Sequence, residues 1–593
     1  MMKDSFTGQG ISVSTGVAIG PAFVIDQRGV PVPEYEIPAN QIDKELKRLQ
    51  NAIAKTHKQL GQLKQKAKAL PAGAEDMTLL LEAYQGMLAG SRLIRGVEEC
   101  INKDHINAEA AIQRQIAAIK ASFAAMNDAY LAARADDVSE VGVRLIRNLL
   151  QQHYNPFEDT PEGSIIIAEE ITPADTALMN PERVAGMATV LGGAEGHAAI
   201  MARALGLPAV SGIALLTHNI KTGDLIVIDG RKGEIIVRPS ADDLQHYRQE
   251  VSRKQREDKK LQTLRDKPAV TADGTTISLQ ANIELPRDLD AALDVGAGGI
   301  GLLRTEFMFM NRPDLPDEDE QYEALRKLVQ KLDGKPLTVR TLDVGGEKLA
   351  TALGDSTGDS TNPALGLRAI RLGLKEPKLL ETQLAAILRA SVHGPVRILI
   401  PMVSSVTQMK QVRDHLIQVE RRLHRRGVKV TGLPPLGAMI EIPGAALIAD
   451  ALAKVSDFFA IGSNDLTQYS LAIDRDDERV ADLYDPFHPA VLRLIQFTAA
   501  AAWRANIPVS LCGEIAGDRR ATALLLGLGL RDLSMGALRL PAVKQEIRSL
   551  TMPQAVNFAE TIMAKSDEAE IRALMHEAPL VSDDGTKDKK RKN

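Results

Sequence analysis

Cysteine is nearly missing from this 593-residue chain: only Cys100 and Cys512 occur, far apart in sequence. That scarcity excludes a disulfide framework and fits a reducing compartment. No stretch approaches the ~20 uninterrupted apolar residues needed to cross a bilayer. The N-terminal "MMKDSFTGQGISV" lacks the apolar core of a signal peptide, so a cytoplasmic location is expected. An excess of one charge is absent too, since 72 Lys and Arg against 77 Asp and Glu leave a net −5. No attraction to nucleic acid or to an anionic membrane follows from that balance. What is present is an ordinary globular mixture, 44% apolar and 25% charged, over a length that calls for about three or four domains.

Texture along the chain divides it. "GISVSTGVAIGPAFVID" is β-branched and glycine-punctuated strand material, and strand-like runs return at "GSIIIAEEI", "DLIVIDG" and "GEIIVR". Between them, residues 40–151 read as long helical patterns with few prolines or glycines. This predicts a discontinuous α/β domain over residues 1–39 and 152–240, interrupted by a helical subdomain. The charge-rich stretch 241–270 reads as a solvated helical linker, and residues 576–593 as a polar, basic, disordered tail. From 271 to 575, eight short apolar runs alternate with helical sequence, which predicts a (β/α)₈ barrel. The runs begin "TISLQANI", "GIGLLR", "LTVRTLDV", "VRILIPM", "LGAMIEIP", "DFFAIGS", "IPVSLCGE" and "DLSMG".

Active sites of such barrels lie at the carboxyl ends of the strands. Those ends carry Arg304, Arg340 with Asp343, Glu441, Asn464 with Asp465, and Cys512 with Glu514; Arg368 and Arg475 fall in the following loops or helix starts. A single arginine in a loop is ordinarily a surface residue, but charge recurring at one rim is not structural filler. Several arginines suit a phosphate or carboxylate, and Glu441 with Asp465 suit a hard cation such as Mg²⁺. Cys512 is placed to donate a proton. The set is built for a small phosphorylated acid and for phosphoryl transfer.

His197 stands apart, in "VLGGAEGHAAIMARAL". Gly192, Gly193 and Gly196 let the backbone approach a ligand, and a helix opening at the histidine offers free N–H groups to an anion. No second histidine or cysteine sits at ligand spacing, so this residue reads as a phosphate carrier rather than a metal ligand.

The segments "GGAEGHAAIMAR", "GIGLLRTEFMFM", "VRTLDVGGEK", "NPALGLRAIR", "FFAIGSNDLTQYSLAIDRDD" and "SLCGEIAGD" resemble, in order, the enzyme I family of the bacterial sugar phosphotransferase system. The resemblance runs from about residue 8 to 570. It implies a swivelling phosphohistidine α/β domain, an inserted helical subdomain that docks the acceptor, and a barrel that binds phosphoenolpyruvate and forms a homodimer. Carried over position by position, it makes His197 the phosphorylated nucleophile and Arg304 and Arg340 the ligands of the substrate phosphate. Arg368, Lys348, Asn464, Asp465 and Arg475 complete the substrate shell, Glu441 and Asp465 hold Mg²⁺, and Cys512 protonates the enolate to pyruvate. The acceptor implied is an HPr-like phosphocarrier protein of the sugar system. The alternatives weighed are a nitrogen-type regulatory relay and a phosphoenolpyruvate-sensing docking protein without catalysis.

Two departures from the family stand out. Threonine and serine usually precede the histidine, where this chain has Glu195 and Gly196. A carboxylate there either points away or makes the phosphohistidine more labile. The helical stretch "LEAYQGMLAGSRLIRGVEE" also lacks a dense acidic patch, so the acceptor's charge is expected to differ. Related dikinases and synthases that add an ATP-binding domain are disfavoured, because residues 1–160 are too short for it and hold no glycine-rich phosphate loop.

Overall fold

A computed structural model describes residues 5–577 apart from 26–31, 68–74, 125–128, 153, 154, 177, 194–198, 200, 201, 204, 215, 217–219, 310, 311, 313, 346–361, 476 and 478. The chain divides into two compact units, Met1–Gln255 and Arg256–Asn593.

The first unit is built on an eight-stranded mixed sheet. Its strands are β1 (Phe6–Gln9), β2 (Ile11–Ser14), β3 (Val17–Val24), β4 (Ser164–Ala168), β5 (Val184–Thr189), β6 (Ala209–Ser211), β7 (Leu225–Asp229) and β8 (Glu234–Val237). They lie in the order β1-β8-β7-β3-β4-β5-β6-β2. The central strand β4, "SIIIA", is buried throughout, as an unbroken apolar run between two covered faces must be. It pairs in parallel with β3, Ala22 beside Ile165, although the whole helical subdomain lies between them in sequence. Gly20 allows this approach, because a Cβ there would sit 2.1 Å from the Gly163 carbonyl. Strands β1, β5 and β6 escaped the sequence reading; β5 and β6 are rich in small residues, and burial rather than alternation marks them.

The insertion consists of five helices, α1 (Ile42–Ala67), α2 (Glu75–Met87), α3 (Arg92–Asp104), α4 (Ala108–Ala124) and α5 (Ala129–Leu149). Apolar side chains recurring every three or four residues give each described helix one buried stripe. Leu49, Leu60, Leu81, Val97, Ile101, Ile112, Val141 and Leu145 form the bundle core. The Ser91 hydroxyl caps α3 by accepting from the Ile94 N–H.

A helix spanning Ala241–Gln262, α6, follows β8. Its first half is not the fully solvated rod that its charge content suggested. Tyr247 is buried against Val227 and Ile236, and Glu250 pairs with Arg231 at 2.8 Å.

The second unit is a closed parallel barrel of β9 (Ser278–Ile283), β10 (Ile300–Leu303), β11 (Leu337–Arg340), β12 (Val396–Ile400), β13 (Leu436–Ile440), β14 (Phe458–Ile461), β15 (Val509–Leu511) and β16 (Asp532–Gly536). Closure is made by β16 on β9, with Leu533 beside Leu279. All eight strands coincide with the apolar runs read from sequence. Helices cover the outside; that of Val406–Arg425 starts with a Ser405–Gln408 capping box and buries Met409, Val412, Leu416, Val419 and Leu423. Inside, Leu302, Leu399, Met439, Phe458, Ala460 and Cys512 form a separate apolar plug beneath the carboxyl ends of the strands.

Candidate active site

The barrel mouth is organised around Arg340, the last residue of β11. Its guanidinium is buried and pairs with Glu306 at 2.8 Å and Asp343 at 3.0 Å. Asp343 also receives Nε and Nη2 of Arg368, at 3.2 and 2.8 Å. Burial alone would raise the Asp343 carboxyl, but Arg340 and Arg368 together hold it below the usual carboxylate range. Arg340 is held firmly charged: burial opposes the charge, and the carboxylates of Glu306, Asp343, Glu441 and Asp465 outweigh it.

Around this pair the other rim residues assemble. Arg304, following β10, binds Glu284. Asn464 and Asp465 lie in the first turn of the helix Ser463–Leu471, directly after β14. The Asn464 amide donates to Glu514 at 3.2 Å and its oxygen accepts the Glu514 N–H at 2.9 Å, while Tyr484 donates to its carbonyl. Arg475 keeps a buried Nη1 with no hydrogen-bond partner. The backbone is strained at two points of the same rim, Ala369 next to Arg368 (φ 50°) and Met402 (φ 56°). Such positive φ values in residues with a Cβ cluster at sites where function over-determines the backbone.

Two groups have strongly altered acidities. Glu441 is completely buried after β13; Oε1 accepts the Met402 N–H at 2.5 Å and Oε2 has no partner. Burial first, then the charges of Asp465 and Asp343, push its carboxyl up to about 8. The Cys512 thiol is pushed up to about 12, chiefly by burial on the apolar plug and then by Glu441. Arg340 and Arg304 pull it the other way and lose.

A buried carboxylate oxygen without a partner, beside a second carboxylate, fits a small hard cation, which takes one or two protein carboxylates and completes its shell with ligand and water oxygens. Gly462 preserves the room, since a Cβ there would meet Glu441 Oε2 at 2.8 Å. No cluster of three or more His, Cys, Asp or Glu in ligating arrangement occurs among the described residues.

Over residues 9–134, 160–233 and 258–552 the chain matches the N-terminal, mobile and PEP-binding domain families of the PEP-utilising enzymes. It is 39% identical over 565 residues to the phosphoenolpyruvate-protein phosphotransferase of Geobacillus stearothermophilus, covering 95% of this chain and 97% of that protein. The protein of the same name from Cupriavidus necator is 40% identical over 583 residues, covering 96% and 99%. That from Bacillus subtilis is 37% identical over 569 residues, covering 96% and 99%. This chain belongs to the phosphoenolpyruvate-protein phosphotransferase family.

As in that family it is a transferase, and its barrel coincides with the PEP-binding match. Of the residues singled out from sequence, Arg304, Arg340, Arg368, Glu441, Asn464, Asp465, Arg475 and Cys512 all lie at or just beyond the carboxyl ends of five barrel strands, β10, β11, β13, β14 and β15. His197, Lys348, Glu195 and Gly196 lie outside the described residues. Sequence reasoning passed over Glu284, Glu306, Thr305 and Gln383. Glu284 and Glu306 stand within three residues of the ends of β9 and β10, and that position was the available signal. Helix α3 exposes Arg92 and Arg95, and Glu82 of α2 pairs with Lys64. Among the described residues no helix is long and apolar enough to cross a membrane.

Proposed function

We propose that this protein takes the phosphoryl group of phosphoenolpyruvate onto His197, releases pyruvate, and passes the group to a histidine of a small HPr-like phosphocarrier protein as the first step of a sugar phosphotransferase system. The observation that carries the reading is the buried Arg340–Asp343–Arg368 array beside the Glu441–Asp465 carboxylate pair and a protonated Cys512. Arginines recognise phosphate by paired hydrogen bonds. Arg304 and Arg340 bind the phosphate, and Arg368, Lys348, Asn464 and Arg475 the rest of the substrate. Glu441 and Asp465 would hold Mg²⁺, which when bound supplies charge neutralisation to the phosphate and carboxylate oxygens.

In the forward step the neutral His197 Nε2 attacks phosphorus in line. A P–N bond forms, the P–O bond to the enol breaks, and the electron pair stays on the enolate oxygen. The arginines stabilise charge spreading over the phosphoryl oxygens from fixed positions, without reorganisation. Cys512 then gives its proton to the methylene carbon, producing pyruvate, and regains one from solvent. A thiol raised to about 12 is almost wholly protonated at neutral pH, the state an acid requires.

His197 belongs to the first unit and the rim arginines to the second, and the relay requires the nucleophile to carry the phosphoryl group from donor to acceptor. The cations Arg92 and Arg95 favour an acceptor with a less basic face than usual. Exposed Leu447, Ile448 and Phe497, on adjoining segments of the barrel, support a homodimer through this unit. Two unpaired cysteines and a metabolic substrate accord with the cytoplasm.

The test is incubation with phosphorus-labelled phosphoenolpyruvate and Mg²⁺, followed by addition of purified sugar-type and nitrogen-type phosphocarriers. Acid-labile label lost in His197→Ala, and passed on to the sugar-type carrier, is the expected result. Absence of label supports a docking protein, and transfer to the nitrogen-type carrier alone overturns the sugar assignment.

A further inference from the structure

Strand β11 stops at Arg340, but the next three residues stay buried, so their peptide groups need partners that the sheet no longer supplies. The Thr341 N–H still reaches Leu399 O, at 3.0 Å. Three further groups of the segment are taken by side chains. Arg340 O accepts from Thr305 Oγ1 at 2.9 Å, Leu342 N–H donates to Gln383 Oε1 at 2.9 Å, and Asp343 N–H donates to Glu306 Oε1 at 3.0 Å. Gln383 Nε2 also donates to Thr305 Oγ1 at 3.1 Å. One buried amide therefore holds the Arg340–Asp343 backbone at two points, directly at Leu342 and through Thr305 at Arg340.

Gln383 is an unlikely tenant otherwise. It lies in the helix Pro377–Ala390, "PKLLETQLAAILRA", with Leu380, Leu384 and Ile387 buried around it. A buried primary amide costs free energy unless its groups are matched. It is suited to this place because it accepts at one atom and donates at another. A carboxylate could not donate to Thr305, whose own proton is committed to Arg340 O. No sequence motif marks the residue, and its amide is taken up by the Leu342 N–H and the Thr305 hydroxyl.

We propose that Gln383 is a positioning residue for phosphoenolpyruvate binding: with Thr305 it clamps the end of β11 so that the Arg340 side chain, braced by Asp343, faces the substrate phosphate in fixed register. This rests on the assignment of Arg340 to the phosphate. A displacement of about 1 Å in such a group costs up to about a hundredfold in rate. Gln383→Met keeps the volume and removes both hydrogen bonds, and Thr305→Val removes the joint between them.

The experiment measures the two half-reactions of the full-length protein separately. Labelling of the protein by phosphoenolpyruvate is followed at varied substrate concentration, and transfer of preloaded label to the phosphocarrier is timed after desalting. In Gln383→Met the first half-reaction is expected to lose about ten- to a hundredfold in kcat/KM, mostly through KM, with the second unchanged. Thr305→Val should fall in the same direction, and the double variant should lose little more than the worse single one, because both act on one clamp. Wild-type kinetics in both single variants, equal losses in both half-reactions, or losses that multiply in the double variant would overturn the assignment. If Gln383→Met does not fold, Thr305→Val alone decides between those outcomes. Failure of the wild-type protein to take up label is a separate result, and it sinks the phosphotransfer reading on which the clamp rests.

Discussion

Cys512 offers the sharpest quantitative check on the proposed chemistry. The thiolate, not the thiol, reacts with an alkylating agent. An ordinary cysteine near 8.5 is about one quarter thiolate at pH 8, whereas a thiol at about 12 is about one part in 10⁴. Thiolate fraction alone should slow iodoacetamide modification of Cys512 about 10³-fold relative to glutathione at that pH, an effect partly offset by the greater nucleophilicity of a more basic thiolate and deepened by steric protection from the apolar plug. The rate should climb about tenfold per pH unit through pH 10, where an ordinary thiol levels off near 9. Peptide-resolved mass spectrometry of timed samples reads it directly. Glu441→Gln supplies the internal control: Glu441 is the second cause of the raised value, so the variant should alkylate faster at pH 9, where the wild-type carboxylate is ionised. Modification within tenfold of the glutathione rate, or a plateau near pH 9, refutes both the buried-acid geometry and the proton-donor role.

Asp532, at the start of β16, has both oxygens hydrogen-bonded by the Gln280 amide, and its burial, only partly offset by Arg397, raises it from 3.8 to about 6. The raised value means that its contribution to stability is complete below about pH 4 and lost as pH rises through 6. Asp532→Asn should thus gain on the wild type by about 2–3 kcal/mol between pH 4 and 7.5 in urea unfolding, the lower figure allowing for partial solvent contact. Parallel curves would count against it. Gly462→Ala puts a Cβ 2.7 Å from Met439 Cε and 2.8 Å from Glu441 Oε2; the expected outcome is about tenfold weaker Mg²⁺ binding by calorimetry, with unaltered affinity arguing against the carboxylate pair as its site. Glu195→Thr should lengthen the lifetime of the phosphohistidine about fivefold, the effect of removing about 1 kcal/mol of repulsion, and an unchanged lifetime excludes a labilising carboxylate.

How much of the site could be read in advance depends on how each residue finds its partners. Glu441, Asp465 and Cys512 are legible because a barrel sends every strand end to one rim, so position along the strand suffices. Glu284 and Glu306 occupy equivalent positions but look like surface charge until the structure shows which arginine each one neutralises. Gln383 has no such signal, since a glutamine in an apolar helix is ambiguous until the broken end of β11 is seen against it. Strands β5 and β6 were missed for a related reason: their small residues carry no periodicity, and β6 finds its edge partner β2 about 200 residues away.

By itself the sequence determined the eight-strand barrel, the interrupted α/β domain and the kinds of charge at the rim, because hydrophobic period and strand-end position are local properties. Only the tertiary structure decided that Arg340 answers to Glu306 and Asp343, that Glu441 holds an orphaned oxygen, and that Cys512 keeps its proton. Those outcomes depend on burial and, apart from the Arg340–Asp343 contact three residues on, on distances between residues tens to hundreds of positions apart, which no local pattern encodes.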